Sequence, residues 1–170
     1  MNQLDLNGRH AIVTGGAAGL GLAITQRFLA SGAQVTWWDR DAATMASAQQ
    51  ALGALAGKVQ TVVVDVSEHA SVVDAVRQTV ASRPVVDALV NCAGIVGAEK
   101  VLGKQGPHGL ASFAKVINVN LIGSFNLLRL AAAAMAEGAA DESGERGVII
   151  NTASIAAYDG QIGQAAYAAS

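Results

Sequence analysis

The sequence is poor in cysteine, proline, aromatic residues and charge, and each scarcity excludes a class of protein. One cysteine and two prolines among 170 residues allow neither an intramolecular disulfide framework nor a proline-rich linker. Aromatic residues make up 4% and charged residues 14% of the chain, with a formal net charge of −2. This near-neutral balance predicts no nucleic acid and no anionic membrane surface as a partner.

Small and aliphatic apolar residues dominate instead. Apolar residues make up 52% of the chain, which argues against disorder and for a well-buried core. The length suits one domain over residues 1–170. The N-terminus shows no signal-peptide pattern, and Arg129 and Glu137 interrupt the alanine-rich stretch around 127–140. We therefore expect a cytoplasmic protein without a membrane-spanning segment.

Short β-branched runs alternate with helical patterns, which predicts βαβ units around a parallel sheet. The strands are predicted at Ala11–Thr14, Gln34–Trp38, Val59–Val64, Ala88–Val90 and Val148–Asn151. Helices are predicted at about 19–31, 41–55, 68–82 and 112–137, with Ser67 as the N-cap of the third and 96–111 as an irregular loop. Right-handed crossovers then predict a doubly wound α/β fold, the Rossmann fold, whose strand order reverses between the first and fourth strands.

A glycine-rich turn lies between the first predicted strand and the first predicted helix. The segment Thr14–Gly21 reads T-G-G-A-A-G-L-G, so Gly15, Gly19, Leu20 and Gly21 are candidate cofactor-binding residues. A phosphate needs free backbone N–H groups, the positive end of a helix dipole and no obstructing side chains, and such a turn provides all three. A tight strand-to-helix turn without a ligand is the alternative interpretation.

Asp39 ends the second predicted strand, 18 residues after Gly21. At about this separation an acidic side chain accepts hydrogen bonds from the adenosine ribose hydroxyls. A carboxylate there repels a 2′-phosphate, so NAD is favoured over NADP as the cofactor. The neighbouring Arg40 is a complication, because a basic side chain tolerates that phosphate. A solvated turn with a helix cap at Asp41 is the alternative for this segment.

Four separated motifs extend the pattern along the whole chain. Besides the T-G-x-x-x-G-x-G turn, Asn91-Cys92-Ala93-Gly94 follows the fourth predicted strand. Asn120 lies in the longest predicted helix, and Ser154 precedes Tyr167 by 13 positions. In this order and spacing the chain resembles the short-chain dehydrogenase/reductase family.

The resemblance implies a role for each of these residues. Tyr167 resembles the family's general acid/base, Ser154 the hydroxyl that holds the substrate oxygen, and Asn120 the residue that keeps a water-mediated proton relay in place. A base is needed because a hydride leaves an alcohol carbon only if the hydroxyl proton leaves too. The residues expected to border the adenine ring or the rest of the cofactor are Asp65, Val66, Asn91, Ala93 and Gly94, with Cys92 where the family more often has Asn. Singly, each residue also suits core packing, a turn or a backbone hydrogen bond.

Two longer stretches narrow the substrate. Residues 146–154 and 160–167 resemble the type 2 3-hydroxyacyl-CoA dehydrogenases, and the loops Lys100–His108 and Asp141–Arg146 agree with that branch. The implied reaction is NAD-linked oxidation of a 3-hydroxyacyl-CoA to the 3-oxoacyl-CoA, a step of fatty acid metabolism. A 3-oxoacyl-carrier-protein reductase, or another small-molecule alcohol dehydrogenase of the family, is the alternative. Lys100 and Lys104 are either solvated or placed to meet coenzyme A phosphates.

The resemblance also implies partners and a longer chain. In the family the long helix packs against its copy, which predicts a homodimer or homotetramer. The histidines lack metal-ligand spacing with Cys92 or one another, so no metal is predicted. The Lys of the family motif Y-x-x-x-K would follow Ser170, so we expect a chain roughly one and a half times as long, with Val148–Asn151 as an exposed edge here. A chain that ended at Ser170 would suit an NAD-binding module without turnover.

Overall fold

The fold is built on a parallel β-sheet with helices on both faces. The computed structural model describes residues 4–170. The strands are β1 (His10–Thr14), β2 (Gln34–Asp39), β3 (Val59–Val63), β4 (Ala88–Asn91), β5 (Leu102–Gly103), β6 (Gly106–Pro107) and β7 (Val148–Asn151). The helices are α1 (Gly19–Ala30), α2 (Ala42–Ala51), α3 (His69–Ser82), α4 (Leu110–Ile117), α5 (Ser124–Ala136), α6 (Ala156–Asp159) and α7 (Ala165–Ala168), with a 3₁₀ turn at Gly53–Lys58 and a π-helical turn at Asn118–Gly123.

The five strands of the main sheet pair in the order β3-β2-β1-β4-β7, and every pairing is parallel. The order reverses between β1 and β4, as right-handed crossovers predict. At such a switch point the loops at the carboxyl ends of the strands diverge and leave a crevice. The predicted Rossmann architecture is therefore confirmed, and its crevice lies beyond the ends of β1 and β4.

Two apolar cores, one on each face of the sheet, hold the layers together. Side chains alternate along β2, so Trp37 and Trp38 enter opposite cores, and both are fully buried. The core around Trp37 is completed by side chains of α1 and α2, such as Leu29. The core around Trp38 is completed by side chains of α3 and α5, such as Leu127. Because neither face of the central strands meets water, their sequences are nearly continuously apolar.

The sheet strands lie within one residue of their predicted bounds, but two of the connections differ from prediction. The helix expected over 41–55 ends at Ala51, and Gly53, with a φ of +55°, begins the 3₁₀ turn. The irregular loop expected over 96–111 contains the short β5–β6 hairpin, and α4 begins at Leu110.

The predicted N-cap at Ser67 is wrong. The Ser67 hydroxyl and amide donate to Asp65 Oδ1 at 2.6 and 2.9 Å, which closes a turn after β3. Glu68 precedes α3, and its side chain makes no capping hydrogen bond. The helix begins at His69, one residue later than predicted, so Ser67 lies outside the cap position and its hydroxyl bonds Asp65 instead.

The helical stretch Leu110–Ala136, formed by α4, the π-helical turn and α5, is 27 residues long. By length and composition alone it could cross a membrane, contrary to the expectation from Arg129. Its Leu127 nevertheless lies in the core against the sheet. Its opposite face leaves Leu121 and Phe125 48% and 61% exposed.

His10 is a buried titratable side chain at the start of β1. Its Nδ1 lies 2.8 Å from the Val85 carbonyl oxygen, and its Nε2 lies 2.8 Å from Thr36 Oγ1. Because a carbonyl oxygen only accepts, Nδ1 carries the proton of the neutral ring. Burial lowers the pKa of His10 and the Arg83 charge lowers it further, while the Val85 hydrogen bond and Asp87 oppose the shift.

The free energy of unfolding should therefore decrease as the pH falls below about 6.5, the pKa of an unperturbed histidine. Below that pH the unfolded chain takes up a proton at His10, whereas the folded chain resists protonation until its lowered pKa is reached. Denaturant unfolding between about pH 7.5 and pH 5 measures the slope. His10→Gln should flatten it, whereas His69→Gln, at the exposed start of α3, should retain it. An unchanged slope in His10→Gln would contradict this assignment.

Candidate functional site

A cleft of about 360 Å³ opens at the carboxyl ends of β1, β2, β3 and β4. The loops that follow these strands form its walls, as expected where the strand order reverses. Of the ten residues predicted to bind a cofactor, nine line it, namely Gly15, Gly19, Leu20, Gly21, Asp39, Asp65, Val66, Ala93 and Gly94. Six further residues line the cleft without having been predicted to bind a cofactor: Ala18, Arg40, Val64, Cys92, Ile95 and Val119.

Asn91, the tenth predicted residue, lies beneath the cleft rather than in its wall. It is buried at the end of β4, and its Nδ2 donates to Asn151 Oδ1 on β7 at 2.8 Å. The next residue, Cys92, does line the cleft, and its Sγ lies 3.4 Å from Thr152 Oγ1. Asn91 therefore joins two neighbouring strands where they reach the site.

The turn between β1 and α1 is shaped to receive an anion. Gly15 and Gly19 have φ values of +61° and +50°, in the left-handed region that favours glycine. A Cβ at Gly21 would lie 2.8 Å from the Gly15 carbonyl carbon, so only glycine allows the helix and the turn to approach this closely. No side chain caps α1 at Ala18, so the first amides of the helix remain available at the cleft. These residues fit a phosphate group.

A carboxylate and a guanidinium, those of Asp39 and Arg40, lie where β2 ends. Asp39 is half-buried, and its Oδ1 accepts from the Asp41 amide at 3.2 Å. Asp41 accepts from two amides of the first turn of α2 and so caps that helix. Hydrogen bonds from Ser67 lower the pKa of Asp65 across the cleft, and the positive charge of Arg40 lowers it further. The rim therefore combines a carboxylate suited to ribose hydroxyls with a guanidinium suited to phosphate.

Thr14 joins the two strands that flank the crevice. Its side chain is fully buried, and its Oγ1 accepts from the backbone amides of Cys92 and Ala93, both at 3.0 Å. The amides after β4 have left the strand ladder, so the hydroxyl at the end of β1 takes the place of a strand partner. The sequence pattern around Thr14 does not by itself predict this role. Its place directly before the glycine turn was the available signal.

Asn120 lies in the π-helical turn between α4 and α5. Its Oδ1 accepts from the Ile95 amide at 2.8 Å, and its Nδ2 donates to the Ile95 carbonyl at 2.9 Å and to Ser170 Oγ at 3.0 Å. Ile95 and Val119 line the cleft. Asn120 therefore connects the cleft with Ser170, a long-range contact that the sequence pattern does not reveal.

Ser154 lies between β7 and α6, and Tyr167 lies in α7. Ser154 Oγ accepts from the Ala156 amide at 3.2 Å, at the start of α6. Tyr167 lies in α7, and its carbonyl accepts from Ser170 Oγ at 3.0 Å. Within residues 4–170, no direct hydrogen bond joins the side chains of Ser154, Asn120 and Tyr167. The link between Asn120 and the Tyr167 turn runs through Ser170.

A second cavity, of about 470 Å³, lies between the loop after β4 and the segment that carries Tyr167. The Glu99 amide donates to the Gly163 carbonyl at 2.7 Å and joins its two walls. Lys100 lines this cavity, whereas Lys104 does not. Its other lining residues include Leu102, Ile162, Gly163, Ala165 and Ala168.

The sequence matches the family described as short chain dehydrogenase over residues 9–170. The chain belongs to this family. Short-chain dehydrogenases generally use NAD or NADP as their cofactor. The enzymes of this family are oxidoreductases.

Several short-chain dehydrogenases resemble the chain along most of its length. It is 43% identical over 168 residues to a Bos taurus 3-hydroxyacyl-CoA dehydrogenase type-2, covering 98% of this chain and 63% of that protein. It is 37% identical to a 2-dehydro-3-deoxy-L-rhamnonate dehydrogenase (NAD(+)) of Sphingomonas sp. (strain SKA58), covering 96% of this chain and 60% of that protein. The crystal structure of 3-hydroxyacyl-CoA dehydrogenase type-2 from Mycobacterium avium has a TM-score of 0.85 at 36% identity, covering 95% of this chain and 63% of that one. The chain thus spans less than two thirds of the length of these relatives.

Replacing Thr14 by Val should destabilise the site while preserving the shape of the side chain. The substitution removes the acceptor of two backbone amides, at an expected cost of about 2 kcal/mol in the free energy of unfolding. Denaturant unfolding measures the loss. Thr14→Ser retains the hydroxyl and is the matched control. Equal stability of the Val and Ser variants would show that the two amides find another acceptor.

Proposed function

We propose that this chain provides the cofactor-binding part of an oxidoreductase that uses NAD to oxidise a 3-hydroxyacyl-CoA to the 3-oxoacyl-CoA. The observation that carries the proposal is the construction of the cleft. The uncapped start of α1 forms one wall, and Asp39 stands at the rim where β2 ends. The 43% identity to the bovine 3-hydroxyacyl-CoA dehydrogenase type-2 supports the substrate class.

The residues along the cleft match successive parts of a dinucleotide. The amides of the glycine turn and of α1 suit the diphosphate, and the carboxylate of Asp39 suits the ribose hydroxyls. Asp65 and Val66 border the space next to Asp39, where an adenine ring would lie. A 2′-phosphate would bring negative charge against Asp39, which favours NAD.

For the reaction, this chain contributes a base, a hydrogen-bond donor and an anchor. Tyr167 takes the proton of the substrate hydroxyl as the alcohol is oxidised. The hydroxyl of Ser154 donates to the same substrate oxygen and fixes its position. Asn120 holds the turn of Tyr167 through Ser170. When bound, the nicotinamide ring supplies the hydride acceptor.

A specific observation favours a second candidate, a reductase of the family that uses NADP, such as a 3-oxoacyl-carrier-protein reductase. Arg40 lines the cleft beside Asp39 and is exposed. Its guanidinium would pair with a 2′-phosphate. The two candidates therefore differ in which side chain binds the adenosine ribose: Asp39 would bind the hydroxyls of NAD, and Arg40 would bind the 2′-phosphate of NADP.

The surroundings of the site support the remaining parts of the proposal. The mainly apolar second cavity next to the Tyr167 segment would take the acyl part of the substrate, with Lys100 at its wall. The exposed face of the long helix, with Leu121, Ile122 and Phe125, would pack against its copy in a homodimer or homotetramer. A cytoplasmic location stays a prediction.

Turnover assays on the full-length protein test the proposed function directly. We expect NAD-linked oxidation of 3-hydroxybutyryl-CoA and NADH-linked reduction of acetoacetyl-CoA, each at least about tenfold more efficient than with the 2′-phosphorylated cofactor. Asp39→Ser should narrow this preference because it removes the repelling carboxylate. A marked preference for NADP, or for a carrier-protein-linked substrate, would favour the second candidate instead.

Replacing Tyr167 by Phe should lower kcat by about a hundredfold to ten-thousandfold, the range for loss of a general acid–base group. The dissociation constant for NADH should stay nearly unchanged, because the phenol acts on the substrate proton. Tyr158→Phe is the matched control, since that side chain is 88% exposed on α6. Full activity of Tyr167→Phe would remove Tyr167 from the mechanism.

A further inference from the structure

Two adjacent tryptophans occupy β2 in closely similar settings on opposite faces of the sheet. Trp37 and Trp38 are both fully buried. The Trp37 indole N–H donates to Thr25 Oγ1 on α1 at 2.8 Å, and the Trp38 indole N–H donates to Thr79 Oγ1 on α3 at 3.0 Å. Both threonines are themselves fully buried. The two pairs thus match in burial and hydrogen bonding and differ in what else they touch.

The Trp37 ring lies directly against the glycine turn. A Cβ at Gly16 would lie 2.8 Å from Trp37 Cγ and 2.9 Å from Trp37 Nε1, and closer still to Cδ1. Ala17, the next residue of the turn, is buried in the same core as the ring. The ring therefore forms the floor of the turn, with no side chain between the two.

The same ring is fixed to the helix that starts at the turn. Thr25 lies on α1, whose first residues line the cleft. Trp37 thus contacts both ends of the unit that would bind phosphate: the turn at Gly16 and the body of the helix at Thr25. Trp38 makes its contacts in the opposite core and reaches α3 instead.

We propose that Trp37 is a positioning residue for the dinucleotide diphosphate. The Trp37 ring sets the distance between β2 and the glycine turn, and its hydrogen bond to Thr25 sets the position of α1 relative to that turn. The inference rests on the proposed binding of a dinucleotide in the cleft. The physical reason is that amides hydrogen-bond a phosphate well only over a narrow range of distance and angle. A smaller ring would let the glycine turn move toward β2, which would take those amides away from the ligand.

Trp37→Phe and Trp38→Phe in the full-length protein separate positioning from general stability. Each variant loses an indole N–H, leaves a buried threonine unpaired and opens a similar void, so both should be destabilised alike. Only Trp37→Phe should weaken binding of NADH and of ADP-ribose, by about tenfold, as for the loss of one charge-assisted hydrogen bond. Calorimetry with both ligands measures the dissociation constants. ADP-ribose shares the adenosine and the diphosphate but lacks the nicotinamide, so an equal loss for both ligands places the effect outside the nicotinamide end.

A second pair of variants keeps both rings and covers the case in which a Phe variant fails to fold. Thr25→Val and Thr79→Val each remove one indole partner while keeping the shape of the side chain. Thr25→Val should weaken ADP-ribose binding, and Thr79→Val should leave it unchanged. In addition, Gly16→Ala should weaken binding strongly beside Trp37 and much less in a Trp37→Val background, where the added methyl group has space.

The outcomes distinguish this inference from the function on which it rests. Suppose that the unsubstituted protein binds NADH, but that Trp37→Phe and Trp38→Phe weaken binding equally, or that Thr25→Val and Thr79→Val do. Trp37 then has only a structural role, and the inference fails while the proposed function stands. If Gly16→Ala has the same effect in both backgrounds, the ring does not set the turn, and the inference again fails. If the unsubstituted protein binds neither NADH nor NADPH, the proposed function fails and the inference fails with it.

Discussion

The close approach of backbone at the glycine turn is the constraint on which the site depends. A Cβ at Gly15 would lie 3.2 Å from the backbone of Ala93, a Cβ at Gly21 would meet the Gly15 carbonyl, and a Cβ at Gly16 would meet Trp37. The turn therefore contacts the segment just after β4, the start of α1 and the side chain of Trp37 on β2. Because no side chain separates the turn from Ala93 or from α1, those two distances are set by backbone contact, whereas the distance from the turn to β2 is set by the Trp37 ring.

That constraint explains why the framework of the site could be predicted from the sequence. Burial on both faces forces the central strands to be continuously apolar, so Val13 and Val35 lie where the pattern predicts strands. The glycine turn is visible because its steric requirement falls on a few consecutive residues. Asp39 follows from these two features, since the end of β2 lies beside the turn in any doubly wound sheet. Nine of ten predicted cofactor residues consequently line the cleft.

The remaining features depend on contacts between distant residues, which local patterns do not reveal. Asn120 bonds the backbone of Ile95, 25 residues earlier in the chain, and Thr14 bonds amides 78 and 79 residues later. Ser67 carries a cap signal, yet α3 begins one residue later than predicted and the Ser67 hydroxyl donates to Asp65. Asn91 carries a family motif, but the packing of β4 against β7 turns its amide toward Asn151. In each case a side chain has several possible partners, and the tertiary fold selects one.

The two halves of the site differ in how their positions are fixed, and this limits what Asn120 can do. The walls of the cleft are the ends of sheet strands, whereas Ser154 and Tyr167 adjoin the helical segments α6 and α7. Asn120 anchors the second of these through Ser170, and both of its amide protons are used, one by Ile95 and one by Ser170. Its Oδ1 accepts one hydrogen bond and retains capacity for another. In this arrangement Asn120 can therefore join a proton relay only by accepting a hydrogen bond from a water molecule, because donating to that water would require breaking its bond to Ile95 or to Ser170.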